Sequence, residues 1–128
     1  MKVVQELVQY FDRRGQLTRK QIHALLEQGF LAGEAPNTML ELGDQIGASY
    51  YFRVKGNPEG QVWGTGTYTG DSNVATAAIH AGLVKAGEVV VVKATVVQPL
   101  PKYQGSNMHG ITSHDFGRYG TAYKLSAI

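Results

Sequence analysis

The sequence predicts an α+β domain in which mostly antiparallel strands wrap around one short buried helix, preceded by an N-terminal helical hairpin. Three observations carry that expectation. Apolar residues keep helical spacing only up to residue 31, β-branched and aromatic runs dominate after residue 47, and a single helical stretch of small side chains lies between those runs. A chain of 128 residues, 43% hydrophobic and 17% charged, can bury roughly two-thirds of the surface its unfolded form exposes. It needs no crosslink to hold a core, and having no cysteine it is not a disulfide scaffold.

Val3, Val4, Leu7, Val8 and Phe11 fall on one side of a helix that Gly15 stops. Thr18-Arg19-Lys20-Gln21 has the form of a capping box, in which the Thr18 hydroxyl accepts from the Gln21 amide and the Gln21 side chain returns the bond. A second helix starting there carries Ile22, Leu25 and Leu26 inward and ends near Gly29. The hairpin over residues 1–31 is too small for a core of its own and must dock on something. Residues 32–46 read as a linker, because Ala32 to Asn37 mixes small residues, a charge and Pro36. Residues 47–128 then form the main domain.

Within that domain, Ala48 to Val54 alternates, with Tyr50, Phe52 and Val54 on one side. Glu88 to Val97 is the longest β signal; its continuous valines predict a central strand covered on both faces. Thr121 to Ser126 alternates again. The short helix, Asn73 to Ala81, is announced by Asp71 or Ser72 as N-cap and ended by Gly82. Its inner stripe of Val74, Ala77, Ala78 and Ala81 lets neighbouring backbones approach closely.

Charge excludes some partners. Twelve Lys plus Arg against ten Asp plus Glu are scattered, with no dense basic block to track a phosphate backbone, so nucleic acid is not expected. No apolar run reaches the ~20 residues of a transmembrane helix. If Met1 is the natural start the chain reads as cytoplasmic; if it is a fragment of a secreted chain, as extracellular.

Trp63-Gly64-Thr65-Gly66-Thr67-Tyr68, Asp71-Ser72, Ala77-Ala78-Ile79-His80-Ala81-Gly82, Tyr103-Gln104-Gly105-Ser106 and Gly110-Ile111-Thr112-Ser113 occur in that order. Together they resemble the LCCL domain family over about Gly47 to Leu125, in a cysteine-free, bacterial-type form, with the N-terminal hairpin outside the match. Animal members normally carry disulfide-forming cysteines, one of them where this chain has Ala75, and an Asn where it has His109. The resemblance implies a non-enzymatic extracellular recognition module, a helix wrapped by strands, with affinity for lipids or bacterial lipopolysaccharide.

The candidate residues divide into two groups. His80 is read as a hydrogen-bonded structural histidine, too far along the helix from Asp71 and Ser72 to form a Ser-His-Asp relay with them. Asp71 is read as the cap, Trp63 as core, and Ser72, Gly82, Ser106 and Ser113 as motif positions. His109, His114 and Asp115 share a Gly-rich loop but lack a recognisable ligand set, so no metal and no cofactor is expected. For ligand contact the candidates are Tyr68, Tyr103 and Tyr119, which offer aromatic faces, and Lys102 and Arg118, which offer charge to phosphate. There is no nucleophile elbow, phosphate-binding loop or paired carboxylate set, and the chain is not read as an enzyme. The expected function is a binding module for lipid, lipopolysaccharide or glycan. The alternative is a protein interaction or homodimer module acting through residues 1–31.

Overall fold

The structure, a computed structural model, describes Thr18, Lys20, Gln21 and residues 33–128. The capping box forms as the spacing predicts: the Thr18 amide donates to Gln21 Oε1 at 2.9 Å and the Gln21 amide to Thr18 Oγ1 at 3.1 Å. The helical hairpin itself lies outside the described residues.

The domain is α+β. Strands β1 (Ser49–Lys55), β2 (Gly64–Thr65), β3 (Thr67–Thr69), β4 (Val89–Val97), β5 (Asn107–Met108), β6 (Ile111–Thr112) and β7 (Ala122–Ala127) accompany one helix, α1 (Val74–His80). Five of the strands make an antiparallel sheet in the order β1-β4-β7-β3-β2, and β5-β6 is a separate hairpin. The helix touches β1 on one side and β6 on the other, so it is held between sheet and hairpin.

Strand register explains the core. Tyr50 pairs with Ala94 and Phe52 with Val92 across β1 and β4, while Val96 pairs with Tyr123 and Tyr123 with Tyr68 across β4, β7 and β3. These residues turn one face to α1 and bury Val74, Ala77 and Ala78. The small helical side chains bring the helix close, as their sequence pattern implies.

The valine run of β4 is less symmetrical than expected. Val92, Ala94 and Val96 are buried, whereas Val91, Lys93, Thr95 and Val97 on the opposite face are half-buried and Val89 is 57% exposed. The strand has a neighbour on each side, but the middle strand of the sheet is β7. Residues 33–46 are bound to the sheet along part of their length. The Arg53 amide donates to Gly33 O, the Ala35 amide to Arg53 O, and Met39, 1% exposed, enters the core while its amide donates to Gly70 O. A loop composition is compatible with that, because backbone bonds to an edge strand need no regular pattern.

The helix start also differs from the expected one. The N-cap is Asn73, whose side chain accepts from the Thr76 amide at 2.9 Å. Asp71 and Ser72 are committed elsewhere: Thr69 Oγ1 donates to Asp71 Oδ1, and Ser72 Oγ accepts from the Trp63 amide. At the other end Gly82 adopts φ +81°, the left-handed conformation predicted for a helix stop.

Candidate functional site

Around the C-terminal end of α1 the polar side chains form a directed chain. His80, fully buried, has Nδ1 2.9 Å from Tyr68 Oη and Nε2 3.2 Å from the Ser106 carbonyl and 3.1 Å from Ser106 Oγ. A carbonyl only accepts, so Nε2 carries the proton and Nδ1 accepts from the Tyr68 hydroxyl. Thr65 Oγ1 donates to the Gln104 carbonyl and lies 2.6 Å from Ser106 Oγ, which must therefore donate to it. Every proton points the same way, from the sheet interior outward to a loop carbonyl.

That polarity bears on chemistry. In a nucleophile-base pair the serine hydroxyl donates to the imidazole; here the imidazole donates to Ser106, and the serine proton goes to Thr65. Ser113 fixes the arrangement, accepting from the Ser106 amide at 2.8 Å and donating to its carbonyl at 3.2 Å. The network satisfies buried polar groups, with both ring nitrogens of His80 engaged inside it.

The histidines and the acid of the Gly-rich loop are likewise engaged apart from one another. His109 takes φ +54° and Gly110 φ +80°, the two left-handed positions of a type I′ turn closing β5-β6, and His109 Nδ1 donates to the His80 carbonyl at 2.9 Å. A Cβ on Gly82 would lie 2.8 Å from His109 Cε1, so the glycine also makes room for that ring. His114 Nε2 meets Gln61 Oε1, and Asp115 accepts from the Gly105 amide. Among the described residues no three His, Cys, Asp or Glu side chains gather as a metal site.

The five ligand candidates separate sharply. Tyr68 and Tyr103 are buried at 1% and 0% exposure. Tyr68 gives its hydroxyl to His80; Tyr103 accepts from the Leu100 amide, donates to the Tyr119 carbonyl, and exchanges backbone bonds with Phe116. Neither ring offers a face to an outside ligand. Burial raises the Tyr68 phenol pKa, partly offset by the Gly66 backbone, and raises that of Tyr123 well above its usual value, with Tyr68 and Asp71 adding to it. Trp63, expected in the core, is half-buried at the short sheet edge, its ring 6.2 Å from that of His114.

Lys102, Arg118 and Tyr119 do come together on one end of the domain. Tyr103 pins the loop 98–104 to the loop 114–120, and two shallow hollows there share Leu100: one holds Lys102 with Thr65 and Ser106, the other Arg118 and Tyr119 with Pro99. Leu100 is 37% and Phe116 44% exposed, and Phe116 packs edge-on against Tyr119 at 5.8 Å. Burial, followed by Asp71, raises the Tyr119 phenol pKa. Among the described residues the ion pair present is Arg53 with Glu34, so Lys102 and Arg118 carry unpaired charge. The sequence did not single out Leu100 and Phe116, since an isolated apolar loop residue has no pattern to mark it.

A groove of about 420 Å³ opens elsewhere, beside the end of α1, walled by Ile79, Leu83, Val84 and Ile111. Sequence reasoning missed it because its walls come from three separate segments.

No curated protein matches the chain. The family model of the LCCL domain matches residues 41–122, more than half of the chain and all of the sheet-helix-hairpin unit except β7 beyond Ala122. The chain belongs to the LCCL domain family, whose domains are non-enzymatic.

Proposed function

We propose that this LCCL domain is a recognition module that docks its 98–104 and 114–120 loops on an anionic amphiphile, a phospholipid surface or lipopolysaccharide. The observation that supports it is the pairing of exposed Leu100 and Phe116 with unpaired Lys102 and Arg118 on loops held by one buried tyrosine. The apolar side chains enter the boundary between headgroup and acyl chain, Tyr119 sits at its polar edge, and the cations meet phosphate. Because Tyr103 fixes both loops beforehand, little ordering is required on docking.

The test is co-sedimentation with anionic vesicles, neutral vesicles and lipopolysaccharide at low and high salt. Anionic binding that weakens with salt is expected, with roughly a fivefold loss for each of Lys102→Gln and Arg118→Gln. Equal binding to neutral vesicles, or no loss in the double variant, would show that this end of the domain is not the docking surface.

A further inference from the structure

The groove beside α1 shares no lining residue with the loop-end hollows, and its chemistry is different. Ile79 and Ile111 form a nearly dry floor, 5% and 7% exposed, and Leu83 and Val84 are half-buried walls. Its volume of about 420 Å³ falls in the range of small-molecule sites. Lys85 and Glu88 stand exposed at its rim, of opposite charge and unpaired among the described residues, so the mouth has no net charge to favour an ion.

One polar atom distinguishes the site. His109 lines the groove, and its Nδ1 is committed as donor to the His80 carbonyl. In the neutral imidazole that fixes the tautomer, leaving Nε2 as a hydrogen-bond acceptor with no partner among the described residues. The ring is held against Gly82 and by a two-residue turn, so the acceptor is preorganised.

We propose that this groove binds a small apolar alcohol, its hydrocarbon body on Ile79, Leu83, Val84 and Ile111 and its hydroxyl donating to His109 Nε2. The inference is independent of the loop-end surface, and its test uses no membrane.

Three probes with similar bodies separate the possibilities: phenylpropanol, propylbenzene and phenylpropionate, titrated in mildly alkaline buffer while backbone amide shifts are followed by NMR. Phenylpropanol is expected to move the amides of Gly82, Leu83, His109 and Gly110 and to bind roughly fivefold tighter than propylbenzene, one hydrogen bond's worth. Phenylpropionate, which offers only acceptors, is expected to bind more weakly than the alcohol. His109→Gly keeps a residue that takes the left-handed turn position and removes the acceptor, so the alcohol's advantage should vanish. An alcohol no tighter than the hydrocarbon, a carboxylate tighter than both, or no shifts at those amides overturns the proposal. The probe comparison on the unaltered chain decides it even if the variant does not fold.

Discussion

The region around His80 and the region around Leu100 both combine tyrosines with serine, threonine or basic side chains, yet they dispose of their polar atoms in opposite ways. Around His80 each hydroxyl and ring nitrogen has an internal partner, and the protons run in one direction from Tyr68 to Gln104. Around Leu100 the backbone is pinned by Tyr103, but among the described residues the charged ends of Lys102 and Arg118 have no ion-pair partner. The difference separates two uses of the same chemistry. A closed network specifies the fold, whereas a pinned frame carrying unpaired charges is what the proposed docking surface requires.

The comparison breaks most visibly at His80. His80→Ala deletes a buried ring and strands the Tyr68 hydroxyl and the Ser106 group it joined, which should lower stability by about 3 kcal/mol and the melting temperature by roughly 10 °C. A melt within a degree or two of the parent would mean that the network is ornamental.

Alkali tests the same interior without mutation. The phenols of Tyr68 and Tyr123 hold their protons more tightly folded than unfolded. Below the unfolded value, about 10, both states are protonated and full stability is present. As pH rises beyond it the unfolded chain releases protons first, so stability falls until the folded phenols ionise as well. Melting temperatures should therefore decline above that pH, and phenolate absorbance from these two tyrosines should lag behind that of tyrosine in the unfolded chain while the chain stays folded.

A smaller effect discriminates between neighbouring residues. Asn73→Ala removes the helix cap and should cost about 1 kcal/mol, more than Asp71→Ala, whose carboxylate serves only Thr69 and Tyr119. Equal losses in chemical denaturation would return the cap to Asp71. Smallest of all, the Lys102→Gln and Arg118→Gln pair should leave stability within about 0.5 kcal/mol while changing vesicle binding.

Much of this was legible in the sequence. Gly82 announced the helix end, and alternation placed Tyr50, Phe52 and Val54 on the core face. The cap was ambiguous because Asp71, Ser72 and Asn73 are all good capping residues in a row, and the choice falls to Asn73 because Thr69 engages Asp71 and the distant Trp63 amide engages Ser72. The tyrosines were ambiguous for a similar reason: Tyr68, Tyr103 and Tyr119 lie in equally Gly-rich surroundings, and burial is decided by pairings across 12 residues or more of chain. The groove had no linear signature, since Ile79, Leu83 and Ile111 meet only after β5-β6 folds over the helix end.

His80 holds the groove and the loop end to a common frame, its carbonyl fastening the lip at His109 and its ring fastening the wall at Ser106. Each opening thus has one side hydrogen-bonded to the same buried residue. Widening the groove on its His109 side would take His109 off the last turn of the helix and bare the His80 carbonyl. For the proposed alcohol site, that bond would set a cost on guests that need a wider mouth on this side.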